Sequence, residues 1–341
     1  MVILKKFFTK KRVTIIIAII VILIALVTAT VGNFFIDFAL VPNNGAQDRE
    51  TIQEIQVAGI DEKTATTETI ISTNRAREEV LVDEWLVEVA NNIEDVAVES
   101  HDGYTLRGHT FFQNRETNDW VVLSHGYQAT EDSLFTSARH YFKAGYNVLT
   151  YDQRAMGNSE GEYITMGIEE QDDLITWLNA LIAEHPEANI ITHGESMGSA
   201  TVLLALNSES YPEEVDVVIA DSGYTSVWEV FESELYQRFN LDEFPFLYMA
   251  GLVGIPRVGI NIFSEGNALE AVSQANTPTL FIHGSADKFV PTPMVDELYT
   301  AHPSDKKEKL VIEGAGHTES KYLDPEIYYE TIFNFINQHK D

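Results

Sequence analysis

The sequence predicts an α/β fold: a mostly parallel sheet flanked by helices, with an inserted helical cap and an N-terminal transmembrane helix. Three observations carry this. An uncharged apolar run fills Val13 to Ile36, β–α alternation sets in after an initial hairpin pattern at Glu94, and more than fifty residues interrupt that alternation after Asp221. A chain of 341 residues with 45% apolar content is long enough for one large α/β domain and an appendage.

As a helix, Val13 to Ile36 measures about 36 Å at ~1.5 Å per residue, enough for a ~30 Å hydrocarbon layer. Lys5, Lys6, Lys10, Lys11 and Arg12 precede it and no basic residue follows for a long way. Residues 1–12 therefore read as a cytoplasmic basic tail and 13–36 as a single-pass anchor in the cell membrane. Everything downstream is expected outside the cytoplasm. A cleaved signal peptide is the rival reading, through the small residues Val27-Thr28-Ala29, but the run exceeds the ~7 to 15 apolar residues of such a segment. Residues 37–74, rich in Thr, Glu, Gln and Asn, read as a solvated spacer. In 75–93, Val80, Leu81, Trp85, Leu86 and Val89 recur at helical spacing, which predicts an amphipathic helix packed on the domain that fills 94–341.

That domain opens with a hairpin, Asp95 to Glu99 and Tyr104 to Phe112, turned at Asp102-Gly103. Strands follow at Trp120 to Leu123, Asn147 to Tyr151, Asn189 to Thr192, Val215 to Ala220, Thr279 to Ile282 and Lys309 to Ile312, with helical patterns between them. The long interval, 224–276, carries Trp228, Phe231, Tyr236, Phe239, Phe244 and Phe246 and reads as the cap.

Lys and Arg total 22 against 53 Asp and Glu, a net charge of −31. So acidic a surface repels nucleic acid and anionic lipid headgroups at long range, so neither is expected as an electrostatic partner of the globular part. The chain has no cysteine, which removes disulfides, thiolate metal sites and a Cys nucleophile together. No His-Glu-x-x-His spacing occurs, and neither metal nor cofactor is expected.

The chemistry concentrates at Gly194-Glu195-Ser196-Met197-Gly198, where an apolar strand ends and a helix opens. Flanking glycines permit the strained turn that lifts a serine hydroxyl clear of a sheet. Such a serine needs a histidine base and an acid to orient it, which in the fold expected here follow in the order Ser, acid, His. His317, in the loop Gly314-Ala315-Gly316 beyond a strand, is the candidate base; His302 and His339 read as solvated surface residues. Asp287, after the strand Phe281-Ile282-His283-Gly284, is the candidate acid, with Asp221 its competitor and expected to be structural. An oxyanion would rest on the Met197 amide, just after the nucleophile, and on the Tyr127 amide in the loop Ser124-His125-Gly126-Tyr127. His125 is expected to shape that loop, and His193 and Glu195 to hold the serine turn.

From Glu94 onward the chain resembles the bacterial α/β-hydrolase superfamily, especially its membrane-anchored cell-surface hydrolases. The resemblance rests on Ser124-His125-Gly126, on Asp152-Gln153-Arg154-Ala155-Met156-Gly157-Asn158-Ser159-Glu160-Gly161, on Gly-Glu-Ser196-Met-Gly, on His283-Gly-Ser-Ala-Asp287 and on Gly316-His317. In the second of these, Ala155 replaces the first Gly of the family's Asp-x-Arg-Gly-x-Gly-x-Ser-x-Gly. The resemblance implies an α/β-hydrolase fold and acyl transfer to water. A carboxylesterase acting on a small-molecule ester is the first expectation and a serine peptidase or aminopeptidase the second. A catalytically silent surface-binding module is the alternative from another class.

Overall fold

In the computed structural model, residues 10–42 and 62–340 are described. The first nine residues, and 43–61 of the expected spacer, lie outside them. Eight strands form one sheet: β1 Ile93–Glu99, β2 Thr105–Phe111, β3 Asp119–Ser124, β4 Asn147–Tyr151, β5 Asn189–Glu195, β6 Val215–Asp221, β7 Thr279–Gly284 and β8 Lys307–Ile312. Their order is β1-β2-β4-β3-β5-β6-β7-β8. Only the β1–β2 and β2–β4 pairs are antiparallel; β3 to β8 run parallel, as the alternation of strands with helices requires.

The helices are α1 Lys10–Leu40, α2 Glu62–Glu88, α3 Phe135–Ala144, α4 Glu170–Glu184, α5 Met197–Ala205, α6 Val227–Phe239, α7 Glu243–Val258, α8 Ala268–Gln274, α9 Pro293–Ala301, α10 Ser320–Leu323 and α11 Pro325–His339. Alternate strand residues feed two separate cores, because successive side chains leave a strand on opposite faces. Val122, Leu149, Ile190 and Val218 face α4, α5, α8 and α9 through Leu174, Val202, Val272 and Leu298. Val121, Val148, Ile191 and Val217 face α2, α3 and α11 through Trp85, Tyr141 and Ile332.

Three elements differ from the sequence reading. Helix α2 begins at Glu62, inside the expected spacer, and its contacts with the domain explain why. Ile71 is buried, Asn74 donates to the Tyr322 carbonyl at 2.8 Å, and Arg75 lies over the Tyr322 ring. Trp85 then stacks on Phe111, with centroids 4.9 Å apart, as the apolar spacing anticipates. Within the interval read as cap, α6 and α7 project over the domain, whereas α8 belongs to the main helical layer, where Ala268 and Val272 pack with Leu203 and Leu298. His302, read as a surface residue, is 1% exposed: its Nε2 meets the Thr277 carbonyl at 3.1 Å.

Helix α1 is long and apolar enough to cross a membrane and runs past Ile36 to Leu40. Ile15 to Val27 stand exposed along it, while Ile36 and Leu40 are buried against the domain. Its last turns dock on α7. A methyl group on Gly32 would overlap the Met249 carbonyl, so only glycine lets the two backbones approach this closely. Arg257 binds Asp37, and donates to the Asn33 amide oxygen at 2.7 Å. Tyr127 Oη donates to the Ala39 carbonyl at 2.6 Å, and Ile164 N to that of Leu40 at 2.8 Å. These bonds satisfy carbonyls that the end of a helix leaves without intrahelical partners.

Candidate active site

Ser196 sits between β5 and α5 with φ 57° and ψ −117°, a conformation that side chains other than glycine adopt at a cost. Its surroundings enforce that geometry. Ser196 N donates to the Asp221 carbonyl at 2.8 Å, and the glycines on either side allow backbone to meet backbone. A methyl group on Gly194 would strike the Gly198 carbonyl, and one on Gly198 the Ser124 carbonyl. The spacing Gly-x-Ser-x-Gly is therefore a requirement of close packing among β3, β5 and α5. Met197 is the first residue of α5, where the backbone N–H has no intrahelical acceptor.

The loops after β7 and β8 bring Asp287 and His317 to this serine. A methyl group on Gly284 would overlap the Ala315 carbonyl, so glycine there lets the two loops touch, and Ala286 N donates to that same carbonyl at 2.9 Å. His317 Nε2 lies 2.7 Å from Ser196 Oγ and its Nδ1 lies 2.7 Å from Asp287 Oδ2. Since the Asp287 carboxylate accepts at Nδ1, the proton resides there and Nε2 is left to accept from the serine hydroxyl.

Asp287 is fixed on its other side by the amides of Phe289 at 2.8 Å and Val290 at 2.9 Å. Burial pushes its carboxyl upward in pKa, but His317 and His283 outweigh burial and hold it well below the ordinary carboxylate range. His283 bridges Asp287 Oδ2, at 3.2 Å, and the Val290 carbonyl, at 3.0 Å. In the sequence, the one signal for this contact is the spacing of His283 four residues before Asp287.

Asp221 is buried away from His317. It accepts from Ser222 Oγ at 2.9 Å and Tyr328 Oη at 2.8 Å, and burial raises its pKa. His125 is buried too, and burial lowers its pKa. Its Nε2 accepts from Gln153 N at 2.9 Å, so its Nδ1–H points at the Gly126 carbonyl, 2.8 Å away. It thus ties the β3 and β4 loops together. A Cβ on Gly126 would lie 3.3 Å from the Ser196 Cβ, which puts the Gly126-Tyr127 backbone beside the serine turn. Both residues line the crevice over Ser196, together with His317, Arg75 and Lys321.

Lys321 bears no mark in the sequence. It is buried and meets both oxygens of Glu195, at 2.6 and 2.5 Å, directly beneath the serine turn; Ser137 Oγ also donates to Glu195, at 3.1 Å. Burial pushes the Glu195 carboxyl up, and Lys321 more than offsets it; burial pulls the Lys321 ammonium down, and Glu195 raises it to about 12. His193 lies 3.1 Å from Tyr141 Oη and is driven by burial to about 4, so it is neutral.

Asp152 anchors the β4 loop by accepting from Glu131 N at 2.9 Å and Asn158 N at 2.7 Å. Arg154 grips Asp173 with two bonds, at 2.6 and 2.7 Å. His101, Asp102 and Asp173 have metal-ligand spacing, but the Arg154 guanidinium already lies on both carboxylates. Ala155, where the superfamily pattern has glycine, stands at φ 62°, in the left-handed region.

The family described as "Serine aminopeptidase, S33" matches residues 115–240, from the end of the hairpin region to the close of α6. The chain is 26% identical to the Bacillus subtilis protein YqkD over 240 residues, 70% of this chain and 77% of that one. Protein bem46 of Schizosaccharomyces pombe is 24% identical over 249 residues, 71% and 76% of the two chains. Among solved structures, the Pyrococcus furiosus esterase Pf2001 superposes with a TM-score of 0.62 at 22% identity, over 75% of this chain and 96% of that one. The sheet order, the strained serine turn after the fifth strand and these similarities agree: the chain has the α/β-hydrolase fold.

Proposed function

We propose that this chain is a membrane-tethered serine hydrolase that cleaves carboxylic esters through Ser196, His317 and Asp287. The observation that carries the reading is His317 lying 2.7 Å from Ser196 Oγ by one ring nitrogen and 2.7 Å from Asp287 Oδ2 by the other. Ser196 Oγ attacks the ester carbonyl as His317 Nε2 takes its proton, and Asp287 steadies the imidazolium that forms. The amides of Met197 and Tyr127 receive the oxyanion. His317 returns the proton to the leaving alcohol, and water, deprotonated by the same nitrogen, then releases the acid and restores Ser196.

An aminopeptidase reading has the family match in its favour. Recognising a substrate ammonium takes a free carboxylate near the serine, and Glu195, which lines the crevice, is neutralised by Lys321. An apolar cavity beside the site suits an acyl group instead. Lys10, Lys11 and Arg12, ahead of the apolar part of α1, support a cytoplasmic N-terminus and an extracytoplasmic domain. Comparing p-nitrophenyl acyl esters with aminoacyl anilides decides the substrate. Ester turnover that Ser196→Ala abolishes is expected; turnover of the anilides alone would overturn the ester assignment.

A further inference from the structure

Beside the site lies an apolar cavity whose walls come from three parts of the chain. The cap gives Leu235, Leu247 and Ala250; the end of α1 gives Phe35, Phe38 and Ala39; the catalytic domain gives Tyr127 and Phe289. Its two charged side chains, Glu234 and Arg238, bind each other at 2.5 Å and leave no uncompensated charge in the wall. The cavity adjoins the chemistry. Tyr127 lines both it and the crevice over Ser196, and the Phe289 ring lies 4.8 Å from that of His317.

The position of α1 says where a ligand for this cavity comes from. About 20 residues span the hydrocarbon layer, so a helix entering it at Val13 leaves near Gly32, where α7 docks. The cavity starts one turn further on, at Phe35. On α7, Leu252 is 58% exposed and Ile255 43%, and Phe244 at its start is 72% exposed, so apolar surface continues from the anchor along the cap. Together these residues form an exposed apolar face beside the end of the anchor, a surface of the kind that a bilayer covers.

We infer that the cavity holds the acyl chain of a lipid ester drawn from the outer leaflet, and that the end of the transmembrane helix is one wall of the acyl pocket. The inference rests on the serine ester hydrolase reading and adds its substrate class. The anchor then has two functions. It tethers the domain, and through Phe35, Phe38 and the Ala39 carbonyl held by Tyr127 it shapes the site itself.

The test uses the full chain reconstituted in phosphatidylcholine vesicles, with p-nitrophenyl esters from acetate to palmitate. Each methylene taken into a dry pocket is worth up to roughly fourfold, so kcat/KM is expected to rise at least about tenfold from butyrate to laurate. Ala39→Trp and Ala250→Trp fill the cavity from two different helices, and each is expected to lower the laurate-to-butyrate ratio by at least about tenfold. A long-chain ester in the enzyme's own vesicles is expected to turn over faster than the same ester in separate vesicles.

A wild-type profile that falls beyond butyrate overturns the acyl pocket without needing any variant. An unchanged ratio in both tryptophan variants overturns its location, and equal rates in the two vesicle arrangements overturn the leaflet source. No turnover of any ester defeats the underlying hydrolase reading, and the inference with it.

Discussion

Lys321→Met isolates the buried ion pair next to the Ser196 turn. In the native chain Lys321 lies 2.6 and 2.5 Å from the two oxygens of Glu195, and both side chains are under one-tenth exposed. Methionine replaces the lysine stem at similar volume, so the change removes the charge while keeping the packing. Glu195 then keeps a single side-chain donor, Ser137 at 3.1 Å. Removing one partner of such a pair costs about 3–5 kcal/mol, because the other charge is left buried and unpaired. In a domain of this size that lowers Tm by roughly 6–15 °C.

The loss depends on pH. In the native chain Lys321 holds the Glu195 pKa below its ordinary value, so the pair contributes stability above pH ~4.5 that fades as pH falls through the depressed folded value. In the variant burial is opposed only by the weaker effects of His193 and Ser137, and the folded pKa is expected to rise above the unfolded one. Ionised Glu195 then destabilises at neutral pH, and the penalty shrinks as acid protonates the buried carboxyl. Calorimetry of the detergent-solubilised chain at neutral and mildly acidic pH measures both effects. Glu195→Gln combined with Lys321→Met is expected to recover more than half of the loss, because no charge is left unpaired. A Tm within about 2 °C of the native value, or a deficit equal at both pH values, would refute the reasoning.

Two further predictions follow from single residues. Ala155 stands at φ 62°, a placement that costs an L-residue about 1–2 kcal/mol, against ~0.5–1 kcal/mol for the lost entropy of a glycine. Ala155→Gly is therefore expected to stabilise by up to about 1 kcal/mol, read as a raised Tm; a lowered Tm would mean that packing of the buried methyl group outweighs the backbone strain. Asp287→Asn replaces the charged acceptor at His317 Nδ1 with an amide that can also donate there, which leaves the imidazole free to take the wrong tautomer, so kcat on esters is expected to fall by roughly 10³–10⁴. A fall of less than about tenfold would remove Asp287 from its assigned role.

The site was legible where local chain chemistry specifies it. Gly194 and Gly198 are needed by contacts within a strand, a turn and a helix, so they mark Ser196 in the sequence itself. Asp287 and His317 each stand just beyond a strand, on loops whose glycines permit close approach. Lys321 carries no such mark: it reaches Glu195 across 126 residues, from a helix of four residues. The first half of α2 reads as spacer because Ile70 and Ile71 are nearly its only apolar residues; the Asn74 and Arg75 contacts with Tyr322 and Glu319 that secure it are tertiary. His302, beside Pro303, looks like a helix end in water, yet it packs against Phe281 with centroids 6.1 Å apart. The docking of α1 was hidden for a related reason. An apolar run gives the same signal whether lipid or protein covers it, and Gly32 stands out only once Met249 is seen against it.

The most direct test of the account is active-site labelling of the folded, membrane-reconstituted chain with a fluorophosphonate, followed by peptide mapping of the adduct. The account predicts one adduct, on Ser196, absent in Ser196→Ala and strongly slowed in His317→Ala, whose serine has lost the acceptor now 2.7 Å away. A folded chain that does not label, or one in which Ser196→Ala labels as the native protein does, would contradict it.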